Sequence, residues 1–202
     1  MDASSPKNSS TVDRELLARV ANGDQEAFEQ LYEQTSSLLY ALVLRIVGKP
    51  GDAADLLQEV YLEAWRKASN YDSARGAPIA WLVTLARSRA IDWVRALAAR
   101  GKDVTASLDD TPVSYLVAQD PDALDIRAAS ERQALVQASL KTLPPVQRLV
   151  IELAFYEGLT HTEISERLNV PLGTIKTRIR LAMEKLRDGL QPLWEEELGI
   201  PN

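Results

Sequence analysis

Arginine and lysine are unevenly spread along this 202-residue chain. Arg75, Arg87, Arg89, Arg95, Arg100 and Lys102 fall within residues 74–102, where Asp92 is the only acid, a local charge of +5. Lys176, Arg178, Arg180, Lys185 and Arg187 fall within 171–187, opposed only by Glu184, a local charge of +4. The rest is acidic, and the whole chain carries −6. Basic stripes attract phosphate by neutralising it and releasing its counterions. One such stripe on a helix is as readily a solvated face. Two of them on an acidic background suggest two separate phosphate contacts.

Carboxylates are the other candidate chemistry. Asp52, Asp55, Gln58, Glu59 and Glu63 share one face of a predicted helix, with Leu62 exposed among them. An acid–base pair needs a tuned, desolvated setting. This face is expected to be open to water, and neither His, Cys nor a glycine-rich phosphate loop lies nearby in sequence. The chain is therefore not expected to be an enzyme. An exposed leucine is an ordinary surface feature, and beside carboxylates it is also what a docking surface for a basic helical partner would present. The chain has no cysteine and one histidine, His161, which excludes disulfides, thiol chemistry and Cys-ligated zinc. No intrinsic metal site and no cofactor are expected.

The elements that must carry these residues are helical. Hydrophobic content of 46 % suffices for a core, Ala, Leu, Arg, Glu and Gln dominate long stretches, and no alternating Val/Ile/Thr runs suggest a sheet. The fold class expected is all-α, two helical domains joined by a flexible linker, the C-terminal one containing a helix-turn-helix. Residues 1–12 are expected to be disordered, 13–100 to form the first domain, 101–121 the linker, 122–190 the second domain and 191–202 a short acidic tail. Met1 to Thr11 lack an apolar core or cleavage pattern. No apolar run approaches the roughly 18–20 residues of a membrane span. A cytoplasmic protein without direct membrane insertion is expected.

Within the first domain, Asp13 to Gly48 reads as two helices, Asp24 capping the second. Gly48, Pro50 and Gly51 read as a break, and Asp52 as the start of the next helix. Ala53, Leu56, Leu57, Val60, Tyr61, Ala64 and Trp65 recur at helical spacing and mark its buried face. Ala68 to Pro78 reads as a loop. A long helix from about Ile79 to Arg100 follows, with Ile79, Leu82, Val83, Ala86, Ala90, Trp93 and Leu97 inward and Thr84, Arg87, Ser88, Asp92 and Arg95 roughly opposite. Trp81 and Trp93 read as core residues. The acidic segment around Pro112 and Pro121 has no periodicity, and its charge reads as solvation ahead of the alternative, mimicry of nucleic acid in a positive channel. In the second domain a helix is expected from Asp122 to about Leu140. Another starts at Pro144-Pro145, with Val146, Leu149, Val150, Leu153 and Ala154 inward, and Gly158 as its C-cap.

The segment from Thr160 to Leu186 has the layout of a helix-turn-helix. Thr160 and Glu163 form a capping box, Ile164 and Leu168 face inward, and Ser165 is small where two helices cross. Asn169 tolerates the left-handed turn, and Val170 plugs it. Thr174 caps or begins the second helix, whose buried stripe is Ile175, Ile179, Ala182 and Leu186. Its outward face presents Thr174, Lys176, Thr177, Arg180 and Leu181, flanked by Arg178 and Lys185. Such a helix enters the major groove with its N-terminal residues toward base edges.

These residues also carry a family resemblance. Tyr156-Glu157-Gly158-Leu159-Thr160-His161-Thr162-Glu163-Ile164-Ser165 and Val170-Pro171-Leu172-Gly173-Thr174-Ile175-Lys176-Thr177-Arg178 closely resemble region four of the extracytoplasmic-function (ECF) sigma factors, bacterial RNA polymerase sigma factors of the sigma-70 family. Asp52 to Arg66 and Ala80 to Arg95 look like their region two. Tyr71 to Gly76 with Ala80-Trp81-Leu82 look most like the sigma-K-like group. The resemblance implies docking of Asp55, Leu56, Leu57, Gln58, Glu59 and Leu62 on the clamp helices of the largest subunit of core RNA polymerase. It implies binding and melting of the −10 promoter element by Asn70, Tyr71, Arg87, Arg89 and Arg95. It implies −35 binding by Thr160, Leu172, Thr174, Lys176, Thr177, Arg178, Arg180, Leu181 and Lys185. The flap of the second-largest subunit and an anti-sigma factor are further implied partners, and the linker would run through the polymerase's active channel. Many family members carry His-Arg where this chain has Arg180-Leu181, and often Arg in place of Met183, so the resemblance implies DNA binding there without giving the exact −35 sequence. The competing reading is a helix-turn-helix regulator that binds an operator without polymerase. It gives no reason for the Asp52 to Arg66 surface or for the first basic helix.

Overall fold

The computed structural model describes residues 12–100 and 138–198, with backbone alone from 192 onward. The chain divides into two compact units, Met1–Ala118 and Gln119–Asn202. Among the described residues the regular structure is entirely helical. None of these helices is long and apolar enough to cross a membrane. The expected disordered N-terminus, the linker and most of the helix expected from Asp122 fall outside the described residues.

In the first unit, α1 (Arg14–Ala21) starts where the Asp13 carboxylate accepts the Leu16 amide at 2.7 Å. α2 (Gln25–Val47) starts the same way, with Asp24 accepting the Ala27 amide at 3.0 Å. A side-chain acceptor at this position satisfies one of the helix's orphan donors. Asp24 also accepts a hydrogen bond from Arg19 at 2.8 Å. The Ala27 amide first, then Arg19, hold its carboxyl below the usual range. Gly48 ends α2 at φ 80°, a backbone glycine adopts without a Cβ penalty.

The break after α2 is shorter than the sequence suggests. Pro50 and Gly51 already belong to α3 (Pro50–Lys67), so Asp52 lies in its first turn and does not open it. Proline fits there because the first amides of a helix have no intrahelical acceptor. α4 (Pro78–Ala99) also begins on a proline. Between them, the connector holds two short 3-10 turns, Ala68–Asn70 and Ser73–Arg75. α2 packs on both α3 and α4, and α1 closes one side. Leu17, Val20, Leu31, Leu39, Val43, Val60, Leu82, Ala86 and Ala90 are buried at the centre. The hydroxyls of Thr35 and Tyr61 meet at 2.6 Å inside it, and Thr35 also donates to the Leu31 carbonyl. Ile91, outside the stripe expected for α4, is buried too.

The second unit contains a helical segment at 138–141, α5 (Pro145–Phe155), α6 (His161–Leu168) and α7 (Leu172–Leu198). Among the described residues a core cluster joins Val150, Leu153, Ile164 and Ile175, ringed by Ala154, Leu159, Leu168, Val170 and Ile179, and Leu143 and Ala182 are buried as well. The stripe expected on α5 is displaced. Val146 and Leu149 are exposed, whereas Leu143, Gln147, Val150 and Leu153 are buried. Apolar residues occur nearly all round this helix, so its neighbours α6 and α7 choose the face. Tyr156, not Gly158, caps α5. Gly158 adopts φ 67° two residues later, where Leu159 donates its amide to the Leu153 carbonyl at 3.2 Å. α7 starts at Leu172, placing Thr174 inside its first turn, and continues past Gln191 into the expected tail. A Cβ on Gly189 would lie 2.8 Å from the buried Ser139 hydroxyl. Glycine there lets α7 approach the 138–141 segment.

Candidate functional site

In the first unit, α3 divides its residues sharply. Asp55, Gln58, Glu59 and Leu62 are exposed at the i, i+3, i+4, i+7 spacing of one helix face. Leu62 is half exposed, among the most open of the large apolar side chains. Leu56 and Leu57 do not belong to this surface. They are buried in the core, as their place on the apolar stripe requires, and Leu57 reaches only the floor of an open groove lined by Tyr32, Tyr40, Ala54 and Gln58.

Glu63 is a second correction. Its place beside Glu59 in the sequence suggests solvent, yet it is buried. Both carboxylate oxygens are occupied: Lys67, one turn along, reaches one, and Arg89 of α4 reaches the other. Burial by itself pushes the Glu63 carboxyl up; the hydrogen bonds from Arg89 and Lys67 outweigh it and hold the group below its ordinary value. Arg89 is pushed up in turn, chiefly by its bond to Glu63. The arginine expected to meet DNA is thus held by a carboxylate of its own domain and joins α3 to α4.

Of the other residues expected at the −10 element, Arg95 and Asn70 are exposed and Arg87 is half-buried. Burial first, then the charge of Arg95, draw Arg87 below its usual value. Tyr71 is half-buried. Its hydroxyl donates to the Gly76 carbonyl at 2.6 Å, and its ring stands edge-on to Trp81 at 6.0 Å. Composition and spacing do not reveal that the Gly76 carbonyl holds Tyr71, although a glycine two residues before a helix-opening proline is a turn signal.

In the second unit the helix-turn-helix is built from local chemistry. Glu163 donates its amide to the Thr160 hydroxyl at 3.2 Å, and its carboxylate accepts the Thr160 amide at 2.6 Å, completing the capping box. Asn169 takes the left-handed conformation at φ 51°. Ser165 does more than allow close packing, since its hydroxyl donates to the Val170 carbonyl at 2.6 Å and braces the turn. Ile175 seats the first turns of α7 in the core.

This leaves Thr174, Lys176, Thr177, Arg180 and Lys185 exposed on α7, with Leu172, Arg178 and Leu181 half-buried. Thr177 donates back to the Gly173 carbonyl at 2.9 Å, so its hydroxyl reaches a base as an acceptor or after breaking that bond. Arg180 pairs with Glu184 one turn on, at the surface. Such exposed pairs contribute little and are readily exchanged for phosphate. Thr160 is exposed, but its oxygen is engaged in the cap. The described residues contain no group of three or more potential metal ligands.

Two helical units, one carrying an acidic-apolar face and the other a braced helix-turn-helix, match two family models in order: sigma-70 region 2 over residues 31–100 and sigma-70 region 4 over residues 139–188. The chain is 43 % identical over 189 residues to the ECF RNA polymerase sigma factor SigK of Mycobacterium bovis (strain BCG / Pasteur 1173P2), covering 92 % of this chain and 96 % of that one. It is 42 % identical over 175 residues to SigK of Mycobacterium ulcerans, covering 87 % and 91 %. Among solved structures, SigE of Rhodobacter sphaeroides, crystallised in complex with the anti-sigma ChrR, is similar at 30 % identity, covering 86 % of this chain and 95 % of that one, with a TM-score of 0.44. The chain belongs to the sigma-70 family. Within it, this protein is an extracytoplasmic-function RNA polymerase sigma factor, which directs transcription initiation to particular promoters. The operator-binding alternative is not favoured.

Proposed function

We propose a division of labour between the two units. The exposed Asp55, Gln58, Glu59 and Leu62 dock on the clamp helices of the largest polymerase subunit, and the second unit meets the flap of the second largest. The α3–α4 connector, with Arg87 and Arg95 of α4, binds and melts the −10 element. Thr174, Lys176, Thr177, Arg180 and Lys185 of α7 read the −35 element in the major groove. The observation that carries this reading is the separation of surfaces. The acidic-apolar face lies on α3, while exposed cations lie on α4 and on the first turns of α7. The factor is not an enzyme and works in the cytoplasm, under an anti-sigma factor as the family resemblance implies.

The charge balance explains why two weak contacts need the polymerase. The chain is acidic overall, and each basic patch neutralises few phosphates, so free factor binds DNA poorly. Docking both units on one large partner makes the second contact intramolecular and multiplies the affinities. Transcription in vitro with purified core polymerase and a library of randomised promoters tests this directly. Transcripts confined to promoters sharing two spaced elements are expected; factor-dependent transcripts from promoters that share no such pair would overturn the two-contact reading. Leu62→Asp is expected to weaken core binding, and unchanged affinity would remove Leu62 from the interface.

A further inference from the structure

The connector between α3 and α4 has an unusual construction for an exposed segment. Residues 72–76 are all exposed, so burial does not hold them. Local bonds do. The Asp72 carboxylate accepts the Ala74 amide at 3.0 Å and pairs with Arg75 at 3.4 Å. Tyr71 spans the whole turn, its hydroxyl on the Gly76 carbonyl and its ring against Trp81 of α4. Gly76 itself sits at φ 136° and ψ −179°, a region open essentially to glycine alone. An added Cβ there would meet nothing within 4 Å. Backbone conformation, not crowding, therefore makes this position a glycine, and that conformation aims its carbonyl at the tyrosine.

We propose that Tyr71 is a positioning residue and not a base contact: with Gly76 it locks the connector in one shape, so that Asn70 and the −10 strand meet without the loop first having to order. The proposal rests on the reading that this connector engages the −10 element. The phenol's one proton is committed to Gly76 and its ring to Trp81, so Tyr71 has no donor left to offer a base. Asn70 is exposed, and its carboxamide has both a donor and an acceptor to offer. Ordering a loop before binding removes an entropic cost from the binding step. The structure therefore assigns shape to Tyr71 and Gly76 and contact to Asn70.

The test uses holoenzyme reconstituted with core polymerase and a fluorescent single strand carrying the −10 sequence that the transcription library selects. Tyr71→Phe removes the hydroxyl and keeps the ring; Gly76→Ala strains the backbone without a clash. Each is expected to weaken strand binding about fivefold, the size of one net hydrogen bond. The double variant is expected to lose little more than either single one, because both break the same lock. Base preference at every −10 position and core affinity are expected to stay as in the parent. Asn70→Ala is expected to weaken binding and to shift preference at one position. A Tyr71→Phe variant that alters preference at a single base while Gly76→Ala does nothing would make Tyr71 a contact and overturn the proposal. So would parental strand affinity in Tyr71→Phe. If Asn70→Ala also binds as the parent does, the placement of this connector at the −10 element fails with it.

Discussion

The two units hold their functional surfaces by different means. The first buries a broad core between α1, α2, α3 and α4 and ties α3 to α4 with a sheltered carboxylate. Its working faces are the outsides of helices that burial has already fixed. Among its described residues, the second has a core cluster of four buried apolar residues. It aims α7 by the Thr160–Glu163 capping box, the left-handed Asn169 and the Ser165–Val170 bond. A large core makes individual surface bonds dispensable. A small one moves the burden of orientation onto a few backbone-directed side chains.

The largest expected effect comes from attacking the smaller core. Ile164→Ala is expected to cost about 2–5 kcal/mol, a large fraction of what a unit of this size has. Hydrogen exchange followed by mass spectrometry should show α5, α6 and α7 losing protection while α2 and α4 keep theirs. Equal loss in both units would mean that they do not fold separately.

Next comes Glu63→Gln, which keeps the side chain's shape and removes the charge that Arg89 faces. A loss of about 1–3 kcal/mol is expected for a charged group left without its counter-charge, measured by urea unfolding. The pH dependence has a definite sign. The folded carboxyl titrates below its unfolded value, so its stabilisation is present above the ordinary glutamate range and is lost as pH falls through the depressed value. The parent should lose stability on acidification through that window more steeply than the variant.

On the DNA side, Arg180→Ala is expected to lower affinity for the −35 element by about 1–3 kcal/mol if it reads a base. Lys176→Ala is expected to reduce the salt dependence of binding by about one unit of slope. Both should leave core affinity unchanged, and full activity of both on a −35-dependent promoter would sink the α7 assignment. Smallest is Thr160→Ala, which removes a helix cap worth about 1 kcal/mol. It should nonetheless reduce −35 binding more than a surface cap in the first unit, such as Asp13→Ala, reduces strand binding at −10. That inequality is the sharpest test of the contrast between the units.

Much of this was legible in the sequence where local rules decide. Asp24, Gly48, the Thr160–Glu163 box and Asn169 announce helix ends because the chemistry that ends a helix lies within a few residues of the end. The sequence reading failed where a distant element decides. Glu63 looks solvated until Arg89 covers it from another helix. Leu56 and Leu57 satisfy both a buried stripe and a docking motif, and only packing separates the two roles. On α5, Val146 and Leu149 compete with Gln147 for the inside, and the unit's own α7 settles it. Tyr71 was visible as a candidate, but its bond to Gly76 depends on a backbone angle that no spacing reveals.

The Glu63–Arg89 pair also limits modularity. The surface proposed to face the polymerase lies on the helix that supplies the acid, and the surface proposed to face the −10 element lies on the helix that supplies the base. A chimera taking α3 from one relative and α4 from another inherits one half of that pair, unless both donors carry it, and leaves Glu63 with Lys67 alone or Arg89 without its carboxylate. The two surfaces of the first unit are therefore inherited together. Promoter specificity grafted onto a different polymerase-binding helix must bring its own matching ion, or the graft loses stability on the order of the 1–3 kcal/mol expected for Glu63→Gln.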